Sequence, residues 1–343
     1  MTAASIPGVR LSLAEVRELS LAALLGVGVS PRNAASVADS VCAAEADGIH
    51  SHGLARLPTY CEHAKVGKID GLAVPVLRQP RPGLVQIDAC DGFAHPAIDI
   101  GLPALLGAAA SQGIAALAIQ RSYNCGVVGY HVERMAAAGF VGLGFVHAPA
   151  SIAPHGGTRA VFGTNPVAIA VPRAGKAPMV LDQSSSVVAK SEVVVHQQRG
   201  EPIPLGWALD SQGQPTTDPD AALAGGTMVP AGGAKGAGMA LLVELLAAWA
   251  TGANLSIDAP SFADNKGGSP RTGQLFVALD IGPIAGPDAP SRLERLLAAV
   301  ADQEGARLPG ERRHAARVRT ALDGIALSAS LHERLQSYAA RRP

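Results

Sequence analysis

Residues 47–56 read Asp-Gly-Ile-His-Ser-His-Gly-Leu-Ala-Arg and form a turn between two predicted helices. His52 can take up or release a proton near neutral pH, and the Ser51 hydroxyl beside it can help to fix the tautomer of its ring. Arg56 follows on the first turn of the next helix, where its guanidinium can hold a carboxylate through two hydrogen bonds. The alternatives are an ordinary loop histidine or, with His50, a metal ligand. No Asp, Glu or Cys completes a metal site with these histidines, so we expect none.

Helices are predicted on both sides of this turn. A Ser-Leu-Ala-Glu capping box opens an amphipathic helix over residues 12–26, and a Ser-Pro pair supplies the N-cap and first residue of a second helix over residues 30–46. A third helix is expected over residues 54–66, with Arg56 and Tyr60 one turn apart on the same face.

From about residue 72 the pattern changes to short apolar runs punctuated by Gly and Pro. These runs predict strands that alternate with helices. The predicted strands are 84–87, 115–119, 141–146, 167–171, 179–181 and one beginning at 274, and the predicted helices are 101–110 and 127–138. The nearly all-apolar segment 236–251 is predicted to be a buried helix. Residues 258–272 are expected to form a loop, and the tail from Ser291 onward is expected to be helical again.

Helical ends around a mixed middle indicate a mixed α/β (α+β) chain with two lobes. Residues 1–72 and 290–343 would form a helical lobe that carries His52. Residues 73–289 would form a mixed-sheet domain.

The composition points to a small-molecule partner. The 343 residues carry 28 basic and 28 acidic side chains, so no net charge attracts the chain to nucleic acid or to an anionic membrane. The N-terminus lacks the apolar run of a signal peptide, and no apolar run is long enough to span a bilayer. The four cysteines, Cys42, Cys61, Cys90 and Cys125, form no paired motif. Free thiols are typical of a reducing compartment, and we therefore expect a cytoplasmic protein.

The common catalytic and cofactor motifs are absent. The sequence has no G-x-G-x-x-G after a strand, no Walker A loop, no H-E-x-x-H and no G-x-S-x-G. The glycine-rich segment 232–238 comes nearest to a phosphate loop, but its spacing fits neither nucleotide motif. Motifs of this kind therefore leave an enzyme and a binding module equally open.

Four further segments could carry chemistry, and each has a plainer alternative. The glycines of segment 156–166 allow close approach to a phosphate and lead to a turn that presents Thr164, or they form a simple hairpin. The polar run 182–186 follows an apolar strand, where it forms part of a site or caps a helix. Lys235 lies between glycines, and segment 307–313 contains three arginines beside a Pro-Gly turn. Both could bind an anion or be solvated surface.

Taken in order, these segments resemble the malate/L-lactate dehydrogenase family, which is distinct from the Rossmann dehydrogenases. The family includes ureidoglycolate, 3-sulfolactate and diketogulonate enzymes as well as reductases of Δ1-piperideine-2-carboxylate and Δ1-pyrroline-2-carboxylate. The motifs that carry the resemblance are Asp47-Gly48-x-x-Ser51-His52-Gly53-x-x-Arg56, Pro154-x-Gly156-Gly157, Gly163-Thr164-Asn165-Pro166, Gly232-Gly233-x-Lys235-Gly236 and Arg307-Leu308-Pro309-Gly310-Glu311-Arg312.

The resemblance implies a non-Rossmann fold that binds NADP or NAD in the mixed-sheet domain, a homodimer, and an active site between the lobes. His52 would donate a proton to a carbonyl or imine, with Ser51 and Glu192 in its proton relay. Substrate contacts would come from Arg56, Tyr60 and Thr164. Cofactor contacts would come from Asn124, Cys125, Gly126, Val127, Val128, Asp182, Gln183, Ser184, Lys190, Ser191, Ala234, Lys235, Arg307, Leu308, Pro309, Gly310, Glu311, Arg312 and Arg313.

The chain departs from the family pattern at three positions. Asn124 and Ala234 stand where many members have histidines, and Glu192 stands where imine-reducing relatives have an aspartate. An asparagine forms hydrogen bonds but does not exchange a proton at neutral pH. His52 is therefore expected to be the sole acid/base group.

Three functions remain open at this point. The first is an NAD(P)-dependent dehydrogenase that interconverts a small 2-oxo acid and its 2-hydroxy acid, of the malate, lactate or 3-sulfolactate type. The second is a reductase of a cyclic 2-imino acid by the same mechanism. The third is a non-catalytic relative that binds a ligand, against which the intact Ser51, His52, Arg56, Thr164 and Lys235 argue.

Overall fold

The structure is a computed structural model that describes residues 8–341. Its helices are α1 Leu13–Leu25, α2 Pro31–Ala46, α3 Leu57–Lys65, α4 Ala94–Gln112, α5 Val128–Ala137, α6 Lys190–Arg199, α7 Pro219–Leu223, α8 Ala234–Val243, α9 Ile281–Ala285, α10 Ala289–Ala301, α11 Glu311–Asp323 and α12 Ala329–Ala339. Its strands are β1 Gly8–Leu11, β2 Val76–Arg81, β3 Leu84–Asp88, β4 Ile114–Ser122, β5 Val141–Val146, β6 Val167–Arg173, β7 Lys176–Gln183, β8 Ala208–Leu209, β9 Pro215–Thr216, β10 Thr227–Met228, β11 Thr272–Leu279 and β12 Ile325–Ser328.

A seven-stranded sheet forms the centre, in the order β2-β3-β4-β11-β5-β6-β7. Only the β3–β4 pair is parallel, and α4 makes the crossover between these two strands. The other pairs are antiparallel. A Rossmann sheet is built from parallel strands, so this topology confirms the predicted mixed α/β class and excludes a Rossmann fold. A core of aliphatic side chains lies between this sheet and the helices α4 and α5.

A second apolar core joins the two ends of the chain. It contains side chains from α1, α2, α3 and α12, and β1 pairs antiparallel with β12 beside it. The predicted capping box of α1 is present, with Ser12 and Glu15 each bonded to the other's backbone. Ser30 caps α2, whose bounds are as predicted. The pairing of β1 with β12 was not predicted, because strand pairs that are 300 residues apart leave no local pattern.

The prediction that segment 236–251 is a buried helix is wrong in part. The helix forms α8 and continues as a π-helical turn over Glu244–Trp249. One face, with Ala240, Val243 and Ala247, is buried, but Trp249 on another face is 71% exposed. An apolar sequence alone does not show which side of a helix its own chain covers. The exposed large apolar side chains are Met239, Leu241, Leu242, Leu245 and Trp249, and all but Leu241 follow one another at intervals of three or four residues.

Within residues 8–341, no helix combines the length and apolar character that crossing a bilayer requires. The segment after α2 also departs from expectation at one end, because the third helix begins at Leu57 rather than at residue 54. Residues His50–His52 form one turn of 3₁₀ helix where a non-helical turn was predicted. These residues belong to the candidate site, and the buried Glu45 is bonded to this segment.

Candidate active site

A buried carboxylate shapes the turn that carries Ser51 and His52. Glu45, on the last turn of α2, accepts a 2.6 Å hydrogen bond from the backbone N–H of Leu54 and contacts His50 Nδ1 at 2.5 Å. This hydrogen bond raises the pKa of His50. A Cβ atom at Gly53 would lie 2.1 Å from a Glu45 carboxylate oxygen, so the close approach requires glycine there. The turn is therefore held from beneath by a charge-assisted hydrogen bond.

Ser51 Oγ lies 3.0 Å from Nδ1 of His52, which leaves Nε2 as the ring nitrogen available to a substrate. The ring is partly exposed yet largely surrounded by protein atoms. The pKa of His52 is lowered to about 4, first by desolvation and then by the charges of Arg56 and Arg313, against the opposing charge of Asp182. In the free protein His52 is therefore neutral at pH 7 and ready to accept a proton.

Arg56 has aromatic neighbours and no acidic partner among the described residues. Its guanidinium carbon lies 6.0 Å from the ring centre of Tyr60 and 5.7 Å from that of Phe262. The Nε atom is buried without a hydrogen-bond partner. A buried unpaired donor on a positive group costs free energy, and a substrate carboxylate would satisfy it. The geometry fits the predicted role of Arg56 as a carboxylate clamp.

Tyr60, predicted to contact the substrate, is a core residue in this structure. Its ring is 1% exposed, burial raises its pKa to about 12, and its hydroxyl donates a 2.8 Å hydrogen bond to Asn124 Oδ1. The backbone N–H of Gly126 donates to the same oxygen at 2.8 Å. Two donors on Oδ1 fix the orientation of the Asn124 amide and leave its Nδ2 protons free.

A charge network joins β7 to two helices beside His52. Asp182 Oδ2 accepts hydrogen bonds from the backbone N–H of Gly129 at 2.7 Å and from Arg313 at 2.8 Å. Arg317, one turn further along α11, bonds to Asp47 and to Glu133. Because Asp47 begins the turn that carries His52, the network places the predicted cofactor residue Asp182 and the helix α11 close to that turn. One Arg313 nitrogen, Nη1, is buried without a hydrogen-bond partner.

The turn that presents Thr164 lies against the polar run that follows β7. The carbonyl of Thr164 accepts a hydrogen bond from the Ser185 N–H at 2.8 Å, and Ser185 Oγ donates to the carbonyl of Asn165 at 2.9 Å. Asn165 is fully buried with φ = 38°, and its amide donates to Glu244 Oε2 at 3.0 Å. Thr164 itself remains partly exposed, as a substrate contact requires.

The glycine-rich segment before α8 meets the same polar run. The N–H of Ala231 donates to the carbonyl of Ser185 at 2.9 Å. Gly232 and Gly233 both have φ = 63°, and a Cβ atom at Gly233 would lie 3.3 Å from the ring of His155. No side chain caps the N-terminus of α8, where Lys235 is exposed. Free backbone N–H groups and a lysine at a helix N-terminus suit a phosphate, so this segment fits its predicted cofactor role.

The other predicted cofactor residues fall into three groups. The side chains of Cys125, Val127 and Val128 are buried, so this segment can offer a cofactor mainly its backbone. In the 307–313 segment, Leu308 is buried and Glu311 accepts from its N–H, whereas Arg307 and Arg312 are exposed. Exposed or partly exposed residues elsewhere in the predicted set are Gln183, Ser184, Lys190, Ser191, Ala234 and Pro309, and Gly310 packs beside Val180 of β7.

Glu192 lies exposed in the first turn of α6, and among the described contacts it has none with Ser51 or His52. The carboxylate whose charge acts on His52 is that of Asp182. The relay role of Glu192 therefore stays a prediction. Within residues 8–341, no three His, Cys, Asp or Glu side chains are grouped so as to hold a metal ion.

Comparisons with known proteins identify the family to which the chain is similar. Residues 11–336 match the family model described as malate/L-lactate dehydrogenase. A (2R)-3-sulfolactate dehydrogenase (NADP(+)) of Chromohalobacter salexigens is 45% identical over 97% of this chain and 98% of its own. A Δ(1)-pyrroline-2-carboxylate/Δ(1)-piperideine-2-carboxylate reductase of Pseudomonas aeruginosa is 41% identical over 95% of this chain and 98% of its own.

Two solved structures superpose over nearly the whole chain. The Δ1-piperideine-2-carboxylate reductase of Pseudomonas syringae has a TM-score of 0.90 and 36% identity, covering 96% of this chain and 99% of its own. The sulfolactate dehydrogenase of Methanocaldococcus jannaschii has a TM-score of 0.87 and 27% identity, covering 96% of each chain.

Proposed function

Since the chain belongs to the malate/L-lactate dehydrogenase family and is an NAD(P)-dependent oxidoreductase of a small acid, we propose that it interconverts a 2-oxo acid and its 2-hydroxy acid. The substrate would be of the malate, lactate or 3-sulfolactate type. The observation that carries this proposal is that a neutral histidine, His52, lies on the turn that leads to Arg56. The Nε atom of Arg56 is buried and lacks a hydrogen-bond partner.

The chemistry follows from these two side chains. Arg56 binds the carboxylate of the substrate, which directs the neighbouring carbonyl or hydroxyl oxygen towards His52. In the oxidation direction, neutral His52 removes the hydroxyl proton. In the reduction direction, protonated His52 gives a proton to the carbonyl oxygen. The bound nicotinamide supplies or accepts the hydride, so that 2-oxo acid, NADPH and a proton give 2-hydroxy acid and NADP⁺.

The cofactor preference that we propose is NADP. Arg307 and Arg312 are exposed and have no ion-pair partner among the described contacts, whereas Arg313 is bonded to Asp182. Two free guanidinium groups suit a 2′-phosphate. We expect the double variant Arg307→Gln/Arg312→Gln to raise KM for NADPH about tenfold or more and to leave KM for NADH unchanged. Arg319→Gln, an exposed change on the same helix, is the matched control, and an equal loss with both cofactors would contradict the assignment.

A panel of substrates tests the reaction. The oxidation of NADPH and NADH is followed with pyruvate, oxaloacetate, sulfopyruvate and Δ1-piperideine-2-carboxylate. The proposal expects turnover of at least one 2-oxo acid and its loss in His52→Gln. The second candidate, a cyclic imino acid reductase, is favoured by the 41% identity to such a reductase. Turnover of the cyclic imine alone would establish that second candidate, and full activity of His52→Ala would refute the mechanism for both.

The homodimer is part of the same proposal. The exposed apolar stripe of Met239, Leu242, Leu245 and Trp249 is the kind of surface that a second copy of this chain would cover. Leu242→Glu is expected to give a monomer in light scattering after size exclusion. Leu322→Glu, at an exposed leucine of α11, is the control. A wild-type monomer at micromolar concentration would contradict the dimer.

The lobes and the location are also proposed here. The active site would lie between a helical lobe, residues 1–72 and 290–343, and a mixed-sheet domain, residues 73–289. The core that α1, α2, α3 and α12 share supports this division, and Phe93 and Tyr123 of the mixed-sheet domain also pack into it. The four cysteines are free, which supports a reducing compartment such as the cytoplasm. A fractionation that recovers the protein outside the cytoplasm would contradict the location.

A further inference from the structure

A buried lysine holds the loop above the carboxylate clamp. Lys68 follows α3, and its side chain is 1% exposed. Its Nζ donates hydrogen bonds to the carbonyl oxygens of Ser261, Asp264 and Lys266 at 2.6, 2.8 and 2.7 Å. An ammonium group has three protons, so these three bonds use every donor that it carries. Lys68 therefore fixes the loop 261–266 at three points.

This loop carries one wall of the Arg56 environment. The ring of Phe262 lies 4.9 Å from that of Tyr123, centre to centre, and 5.7 Å from the guanidinium carbon of Arg56. Tyr60 supplies the other wall, with its ring 6.0 Å from the same carbon. A cation between two aromatic rings is attracted to both and loses rotational freedom. The position of Phe262 therefore affects how the guanidinium is presented to a carboxylate.

Residues close to Lys68 also hold Tyr123, whose ring lies beside that of Phe262. The Tyr123 hydroxyl contacts His63 Nδ1 at 2.5 Å, and the Lys68 N–H donates to the carbonyl of His63 at 2.9 Å. Burial, with the charge of Lys68 as the next cause, lowers the pKa of His63 to about 4. Neutral His63 accepts a hydrogen bond from the Tyr123 hydroxyl, so the rings around Arg56 and the lysine that holds the loop form one connected unit.

The burial of the Lys68 ammonium group beside this loop needs a physical explanation. Burying an ammonium costs free energy unless all its protons are bonded. The segment 258–272 is rich in Gly, Pro, Ser and Asn and has few apolar side chains with which to dock itself. The lysine supplies the docking that the loop's own sequence lacks.

We infer that Lys68 is a positioning residue for substrate binding, because it holds the loop 261–266 so that Phe262 stays over the guanidinium of Arg56. This inference rests on the proposed function insofar as Arg56 binds the substrate carboxylate. Neither Lys68 nor Phe262 touches the reacting atoms in this assignment. Both act through Arg56.

The test compares Lys68→Met, Phe262→Leu and the double variant with wild type. We expect each single variant to raise KM for the 2-oxo acid roughly three- to thirtyfold, the range that a lost cation–π contact implies. KM for NADPH and kcat should stay within about twofold. The double variant should be little worse than either single variant, because both changes remove the same contact. Lys65→Met, at a partly exposed lysine of α3 paired with Glu62, is the matched control.

Hydrogen exchange of the loop distinguishes the docking by Lys68 from the contact between Phe262 and Arg56. In Lys68→Met, residues 258–268 should exchange faster than in wild type, whereas in Phe262→Leu the loop should stay protected by Lys68. Faster exchange with an unchanged KM, or a KM that rises equally for NADPH and the acid, would overturn the inference. If wild type reduces only the cyclic imine, the proposed 2-oxo acid substrate fails. The same variants are then measured with the imine, whose carboxylate would use the same clamp.

Discussion

The pH dependence of the two reaction directions gives the sharpest test of His52. Its pKa lies at about 4 rather than at the ordinary 6.5, because the ring is desolvated and lies near the charges of Arg56 and Arg313. At pH 7 about one free molecule in a thousand carries a protonated His52. The lowered pKa corresponds to about 3.4 kcal/mol against the protonated form. Oxidation needs the neutral base and reduction needs the protonated acid, so above the pKa oxidation should not depend on the ionisation of His52, whereas reduction should become faster as the pH falls.

The measurement is kcat/KM from pH 8 to pH 5, which reports on ionisations of the free protein. For oxidation of the hydroxy acid with NADP⁺, we expect no limb from His52 in this range. For reduction with NADPH, we expect kcat/KM to rise about tenfold for each pH unit down to pH 5, without a plateau. A plateau in reduction below pH 6, together with a matching fall in oxidation, would show an ordinary pKa and refute the assignment.

His50 is a second ionisable histidine on the same turn, and its titration would also change the rate with pH. The hydrogen bond to Glu45 raises the pKa of His50 above its ordinary value, so any limb in these profiles has to be assigned to His50 or to His52. His50→Gln removes that ionisation and is the control. A direct reading comes from the imidazole resonances of the free protein in NMR, with the His52 signal assigned by its loss in His52→Gln. That signal should not shift between pH 8 and pH 5.

Three further changes test other parts of the site. Arg56→Met should raise KM for the acid at least about thirtyfold in steady-state assays, since about 2 kcal/mol or more is lost with a charge-assisted pair, and it should leave KM for NADPH unchanged. A rise below threefold would contradict the clamp. Gly53→Ala would place a Cβ atom 2.1 Å from a buried carboxylate oxygen and should lower both kcat and the free energy of unfolding, the latter by about 1–3 kcal/mol. Gly107→Ala, where a Cβ atom would meet nothing within 4 Å, should not destabilise, and equal urea midpoints for the two variants would refute the steric argument. Glu244→Gln removes a buried charged acceptor of the Asn165 amide and should reduce the free energy of unfolding in urea by about 1.5–3 kcal/mol; an unchanged midpoint would show that the charge is dispensable.

Features set by neighbouring residues were predictable from the sequence. The caps of α1 and α2 follow from Ser12 and Ser30, whose side chains bond to the backbone within the next three residues. The alternation of strands and helices in the middle was predictable for the same reason. The pairing of β1 with β12 and the exposed face of α8 depend on distant segments, and no local pattern reports those.

The candidate site also combines local features, which the sequence predicts, with contacts between distant segments, which it does not. Ser51, His52 and Arg56 lie within six residues, so the sequence alone allows their chemistry to be combined. The bond between Asp182 and Arg313 spans 131 residues, and that between Lys68 and the loop carbonyls spans about 190. A lone buried lysine or glutamate has the same appearance in a sequence as an exposed one. Its burial is decided by tertiary packing, which also decides its function.

In the proposed mechanism, the charges around His52 couple substrate binding to proton transfer. Asp182 is already bonded to Arg313, so in the free protein the charge of Arg56 is uncompensated and helps to keep His52 neutral. A substrate carboxylate on Arg56 would cancel that charge and so raise the pKa of His52, while desolvation, the largest cause of the lowered value, remains. A second anionic group on the substrate, such as the sulfonate of sulfopyruvate, would raise it further. His52 therefore takes up the proton for reduction most readily after the acid binds. An oxo acid with two anionic groups promotes this protonation of His52 more than pyruvate does.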